Sequence, residues 1–166
     1  MDLNELKTLL NNIKIEDVKK LQKILLNRDR IFLIGNGGSN SICSHIAQDY
    51  TKALGLPSLS FSDPSRLTCY INDYGRDKAY SKFLEHFTSD LSLCILISSS
   101  GNSNNIIEAA EYCKNNCRPF IILTGFDSNN KLREKYSSIS LLDFHVPSFD
   151  YGIVENIHSI FLHSVI

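Results

Sequence analysis

The sequence predicts an α/β fold in which a parallel sheet is covered by helices on both faces. Three observations point there: short, continuously apolar runs such as Leu93–Ser98, helical segments of 3.6-residue period between them, and Gly-, Ser- and Asn-rich turns where a run gives way to a helix. Strands buried on both faces need no polar alternation, and the crossover from one parallel strand to the next needs a helix.

The elements follow in order. Residues 3–12 and 15–27 carry apolar positions at spacings of three and four (Leu3, Leu6, Leu9, Leu10, then Val18, Leu21, Ile24, Leu25), the pattern of an amphipathic helix pair. The first strand, Arg30–Ile34, stops at Gly-Asn-Gly-Gly, after which Ser39 is placed to cap a helix running to about Leu54. Then come a strand near Ser58–Phe61, a helical stretch around Arg76–Phe87, the strand Leu93–Ser98 and a helix from Asn104 to Asn115. The strand Pro119–Thr124, a short helix and the strand Ile139–Val146 lead to a last helix, 151–166, expected to reach the end of the chain. The pattern gives one domain, with an N-terminal helical segment 1–28 and an α/β core 29–166; it contains no internal repeat or linker.

Composition narrows the class of function. With 17 basic and 18 acidic residues, a net charge of −1 and no run of either sign, the chain lacks the basic footprint of a nucleic-acid or anionic-membrane binder. Small polar partners fit better. The five cysteines are odd in number, sit mostly in apolar runs and form no CxxC pair, which suits a reducing compartment. No apolar stretch reaches the roughly 20 residues that span a bilayer, and the N-terminus lacks the pattern of a signal peptide. The expected location is the cytoplasm.

Ligands of open α/β sheets collect at the carboxyl ends of the strands, so the turns after Ile34 and Ile97 are the places to look. Gly35-Asn36-Gly37-Gly38-Ser39 joins a strand to a helix, where bare backbone N–H groups can receive an anion. It is neither a dinucleotide fingerprint, since Asn40 stands where GxGxxG requires glycine, nor a P-loop, since no Gly-Lys-Ser/Thr follows. Ser98-Ser99-Ser100-Gly101-Asn102-Ser103 offers four hydroxyls in the same setting. Either loop alone also reads as an ordinary turn and cap. Two at equivalent positions point to a phosphate cradle.

Together with His45, six residues after Ser39, and the terminal GIVENIHSIFLH, these loops resemble the SIS (sugar isomerase) fold, and within it the phosphoheptose isomerases. The likeness extends over nearly the whole chain, taking in Ser62-Asp63, Asn72-Asp73-Tyr74-Gly75 and Leu123-Thr124-Gly125. The resemblance implies a three-layer sandwich around a five-stranded parallel sheet, assembled as a homotetramer with active sites between subunits and the N-terminal helices packed in the oligomer. It implies conversion of sedoheptulose 7-phosphate to D-glycero-D-manno-heptose 7-phosphate, supplying heptose for a surface polysaccharide. Ser98, Ser99, Ser100 and Ser103 match phosphate-binding positions; Asn36 and Ser39, with Gly37 and Gly38 between them, match the substrate-contacting first loop.

An aldose–ketose isomerisation moves a proton between adjacent carbons through an enediol, so it requires a base near one carbon and an acid near the oxygens. His45 and Asp49, four apart, share one helix face, and Glu155 and His163, eight apart, lie within about 80° of each other on the last helix. Two histidines and two carboxylates are a plausible Zn²⁺ ligand set, although a lone His–x₃–Asp pair is commonly just a surface or capping pair. The resemblance implies that His45, Asp49, Glu155 and His163 bind one zinc per subunit, with Asp49 and His163 as the acid–base pair and Glu155 also touching substrate. The chain departs from the family in four places. Asp49 is one methylene shorter than the family's Glu, and Glu155 replaces Gln. Gly152 stands for an acidic residue and Ala53 for a basic one, with Lys52 adjacent.

Asn72 and Asp73 are candidate substrate contacts that equally suit a turn. His158 reads as a structural residue, His86 and His145 as surface or packing residues, and Cys43 as a small buried apolar one. Competing functions are the same reaction on another sugar phosphate, and a catalytically silent scaffold that binds a partner protein. A sugar-phosphate sensor of a transcription factor would need a DNA-binding segment, which this sequence does not contain.

Overall fold

A computed structural model describes residues 1–166. Helices α1 (Leu3–Leu10) and α2 (Ile15–Leu25) precede β1 (Ile31–Gly35), α3 (Gly37–Leu54), β2 (Ser58–Ser60), α4 (Pro64–Tyr74), α5 (Ala79–Phe87) and β3 (Leu93–Ser98). After them come α6 (Asn104–Asn115), β4 (Phe120–Gly125), α7 (Lys131–Tyr136), β5 (Asp143–Val146) and α8 (Tyr151–His163). The five strands form one sheet, ordered β2-β1-β3-β4-β5, and every pair is parallel. This is the three-layer α/β sandwich expected.

Alternation within the apolar strands sends side chains to two separate cores. Ile31, Leu33, Ile95, Ile97, Ile121 and Leu123 join α2, α3 and α8 in a cluster of 23 buried residues. Their neighbours Phe32, Ile34, Cys94, Leu96, Phe120 and Ile122 face α5, α6 and α7 in a second cluster of 17. Helix α1 rests its Leu6, Leu9 and Leu10 against the first cluster without burying any residue fully. No helix is long and apolar enough to cross a membrane.

Several boundaries differ from the sequence reading, each for a local reason. Helix α4 covers 64–74, so Asn72 and Asp73 end a helix rather than form a turn. Asp63 accepts from Arg66 N at its N-terminus, Pro64 fits the first turn, and Gly75 closes it. Helix α5 accordingly starts at Ala79, after the 75–78 connection, not at Arg76. Asn36, not Ser39, occupies the N-cap of α3. The last strand is only Asp143–Val146, because the N–H groups of Ile139 and Ser140 close a turn on Tyr136 O, and the chain first reaches β4 at Leu141, whose N–H donates to Phe120 O. Helix α8 ends at His163, where Ser164 N–H bonds the carbonyls of Ile160 and Phe161.

The strand order reverses its direction of growth at β1 and β3. The loops leaving those two strands therefore diverge and open a crevice between them, and these are the two loops singled out from sequence.

Candidate active site

The crevice holds a cavity of about 110 Å³ lined by Asn36 and Ser39 from the β1–α3 turn, Ser98, Ser99, Ser100 and Ser103 from the β3–α6 loop, and Tyr151 and Glu155 from α8, with Ile97 beneath. All four predicted hydroxyls meet here. Ser98 Oγ accepts from Gly101 N–H at 3.2 Å and lies 3.4 Å from Ser103 Oγ, while Ser100 Oγ accepts from Asn102 N–H at 3.2 Å. Ser103 is the N-cap of α6 yet makes no side-chain capping bond, so its hydroxyl stays available. Ser99 is buried and its Oγ has no partner. A hydroxyl in that position costs stability unless a ligand satisfies it.

The loop shape depends on glycine at two points. Gly101 has φ +64°, and a methyl there would overlap the side chain of Asn130. Gly38 leaves room for the Glu155 carboxylate, which a methyl would displace. Glu155 has no hydrogen-bond partner among the chain's polar groups, and partial burial raises its carboxyl above the usual range. Asn36 is braced rather than free: its Oδ1 accepts from Tyr80 OH and Asn105 Nδ2, each at 2.9 Å, and its Nδ2 donates to Asn105 Oδ1 at 2.9 Å. Tyr80 OH lies equally close to Gly35 O, and burial pushes that phenol up to about 12, so it remains a neutral donor.

A second cluster lies farther along the same helices. His45 Nε2 is 3.3 Å and His163 Nε2 is 3.2 Å from Asp49 Oδ2, and the ligand atoms of all three lie within 4.8 Å of one another. Helix spacing brings His45 and Asp49 onto one face of α3, and α8 packs alongside, where Tyr50 OH donates to Leu162 O at 2.9 Å. Glu155 meets the N-terminal end of α3 at Gly38, and His163 meets its later turns at Asp49, so the two helices run parallel.

The donor set fits a cation. His163 Nδ1 sits 2.8 Å from Ser159 O, and a carbonyl only accepts, so Nδ1 carries the proton. The lone pair of Nε2 then faces the Asp49 carboxylate at 3.2 Å, an arrangement that a proton or a metal ion must bridge. Two imidazole nitrogens and a carboxylate oxygen suit Zn²⁺, with a coordination position left for water or substrate. Glu155 is outside this trio and lines the serine-rich cavity.

Asn72 and Asp73 are exposed on the last turn of α4, where Asn72 Nδ2 donates to Asp73 Oδ1 at 3.0 Å; neither lines the cavity. His158 is fully buried, its Nε2–H donating to Thr124 O at 3.0 Å. Cys43 is fully buried as well, and His86 pairs with Tyr70 OH at the surface.

A family model described as the SIS domain matches residues 5–125. The chain is 33% identical over 153 residues to the phosphoheptose isomerase of Fusobacterium nucleatum, covering 89% of this chain and 76% of that protein. The chain belongs to the phosphoheptose isomerase family. It is also 31% identical over 180 residues to the phosphoheptose isomerase of Cytophaga hutchinsonii, across 99% of this chain and 91% of that one. The solved structure of the phosphoheptose isomerase of Neisseria gonorrhoeae matches with a TM-score of 0.86 at 28% identity, covering 96% of this chain and 89% of that one.

Sequence reasoning on this family member missed Tyr80, Asn105, Tyr151 and Arg76. Tyr151 had a signal, since it opens the helix that carries Glu155. Tyr80 had none, being 44 residues from the Asn36 it braces. Arg76 lies in the 75–78 connection and lines a second, polar cavity of about 250 Å³ beside the first.

Proposed function

We propose that this family member interconverts the ketose and aldose forms of a long-chain sugar phosphate, with sedoheptulose 7-phosphate as the substrate. One observation carries the reading: a hydroxyl-lined anion cavity and a His/Asp cluster sit at different levels of one parallel helix pair. On α3, Ser39 and His45 are six residues apart, about 9 Å of helix, and on α8 Glu155 and His163 are eight apart, about 12 Å. An extended seven-carbon chain with a terminal phosphate spans roughly 9 Å, taking carbon–carbon bonds of about 1.5 Å. A phosphate in the serine loop then leaves the first two carbons at the cluster.

In this reading Asp49 takes the proton from C1 of the open-chain ketose while His163, entering as the imidazolium with a second proton on Nε2, gives that proton to the C2 oxygen, forming the enediol. Asp49 returns the carbon-bound proton to C2, and the C1 hydroxyl surrenders its proton to His163 as the aldehyde forms. No atom is gained or lost. When held by His45, Asp49 and His163, zinc would supply Lewis-acid polarisation of the carbonyl oxygen in place of the proton on His163 Nε2. Ser98, Ser99, Ser100 and Ser103 hold the phosphate, and the α6 N-terminus behind them favours its charge. Asn36, locked by Tyr80 and Asn105, orients the chain.

We further propose a cytoplasmic homotetramer with sites completed between subunits. Supporting this, Leu3, Leu26 and Tyr151 are 68%, 78% and 59% exposed, a cost that association removes.

Incubation with sedoheptulose 7-phosphate, with and without zinc, tests the function by following the aldose formed. Turnover is expected with zinc; absence of turnover in both conditions, together with absence of bound metal, overturns the reading. Five- and six-carbon ketose phosphates in parallel check the chain length.

A further inference from the structure

The phosphate cavity contains no cation. Its lining is hydroxyls, the Asn36 amide, the Tyr151 phenol and the Glu155 carboxylate. A phosphate monoester brings between one and two negative charges, and an ionised Glu155 in a cavity of about 110 Å³ opposes them. Hydroxyls and backbone N–H groups satisfy phosphate oxygens without neutralising them, so a binding site of this composition lacks its counter-charge.

That charge stands next door. The polar cavity beside the cradle has no apolar lining residue and shares Asn36 and Ser103 with it, so the two adjoin. Arg76 is the only Lys or Arg lining either. It follows Gly75, whose φ of +80° turns the chain out of α4, and it is exposed and free of any ion pair, although Asp77 adjoins it. Its charge reaches the Tyr80 phenol, whose hydroxyl holds Asn36. The unpartnered buried Ser99 Oγ in the adjoining cavity marks where the anion is wanted.

Resting on the reading of the serine loop as the phosphate cradle, we propose that Arg76 is a substrate-binding residue. It closes over the outer oxygens of the cradled phosphate from the polar cavity and supplies the positive charge that the cradle lacks. A guanidinium suits the role because its planar fork can pair two phosphate oxygens at once and stays charged at any working pH. Arg76 therefore governs affinity for the phosphorylated end, leaving proton transfer at the other end to Asp49 and His163.

The test titrates inorganic phosphate into the wild-type protein, Arg76→Ala and Arg76→Lys by calorimetry at fixed ionic strength, and measures kcat and KM for the sugar phosphate alongside. Arg76→Ala is expected to weaken phosphate binding and raise KM by roughly 10- to 100-fold, the range for a lost charge-assisted hydrogen bond, with kcat changed far less. Arg76→Lys should recover part of the loss, since it restores charge without the fork. An Arg76→Ala protein that binds phosphate as tightly as wild type, or that loses kcat and not affinity, overturns the proposal and leaves the cradle standing. A wild-type protein that binds no phosphate overturns the cradle and this inference together. Arg76 is exposed and on a loop, so unchanged thermal unfolding of both variants is expected and separates lost affinity from lost structure.

Discussion

Asp49 Oδ2 faces both His45 Nε2 and His163 Nε2 within 3.3 Å, so one oxygen is the hub of the cluster even though its side chain is the shorter acidic one. Asp49→Asn and His163→Ala should each lower turnover by at least about 10²-fold, the low end for a lost acid–base group. Bound zinc, counted by emission spectroscopy, should fall in parallel while circular dichroism stays unchanged. An active Asp49→Asn protein would refute the assigned base. Glu155 makes a different prediction: removing its charge with Glu155→Gln should tighten inorganic phosphate binding about tenfold near neutral pH, as expected for one like charge lost from a partly desolvated cavity. The sign follows from its raised carboxyl, because wild-type binding should weaken as pH rises through that titration whereas the variant should not show this effect. Unchanged affinity in the variant would mean that Glu155 points away from the bound anion.

At the scale of elements, the loops matter through what they lean on. Gly101 sits at φ +64° against Asn130, and Asn130 Oδ1 caps α7 by accepting from Arg133 N–H at 3.1 Å, while Leu132 N–H donates to Gly101 O at 2.9 Å. A methyl at Gly101 therefore strains the β3–α6 loop and pushes on the α7 cap together. Gly101→Ala is expected to cost roughly 2–4 kcal/mol in denaturant unfolding and to weaken phosphate binding as well. Most of these elements were legible in the sequence, because Leu93–Ser98 and Asn104–Asn115 carry their period and their stop residues on the surface of the text. Helix α4 was hidden, although Asp63, Pro64 and Gly75 are its start and stop signals, because Asn72-Asp73-Tyr74-Gly75 reads equally well as a turn.

For the whole molecule, pH acts through His158. Its Nε2–H donates to Thr124 O and its Nδ1 is buried without a partner, so protonation would put an unpaired charge in the core. Burial lowers its pKa from 6.5 to about 4. The unfolded chain thus takes up the proton first as pH falls. Stability is full above about pH 6.5 and declines toward pH 4, by up to about 3 kcal/mol from this group. Urea unfolding at pH 7 and pH 5 checks the decline, and a stability equal at both would count against a neutral buried imidazole. Metal removal should leave the fold standing, since two apolar clusters of 23 and 17 residues hold the sheet without it. Light scattering should give the same mass before and after chelation, which for the proposed tetramer is four chains of 18.8 kDa.

Sequence alone determined the parallel α/β architecture and the two loops at strand ends, because apolar period and turn chemistry are local properties. His45, Asp49 and His163 became candidates through the family resemblance, since helix spacing by itself also fits an ordinary surface pair. Only the tertiary structure decided which candidates meet. Parallel packing of α3 and α8 joined Asp49 to His163 across 114 residues and carried Glu155 to Gly38, away from the other three metal candidates. The same packing left Asn72 and Asp73 outside the cavity and set Arg76 beside it. Side-chain reach is settled by how helices lie on a sheet, and those contacts join residues that no local pattern links.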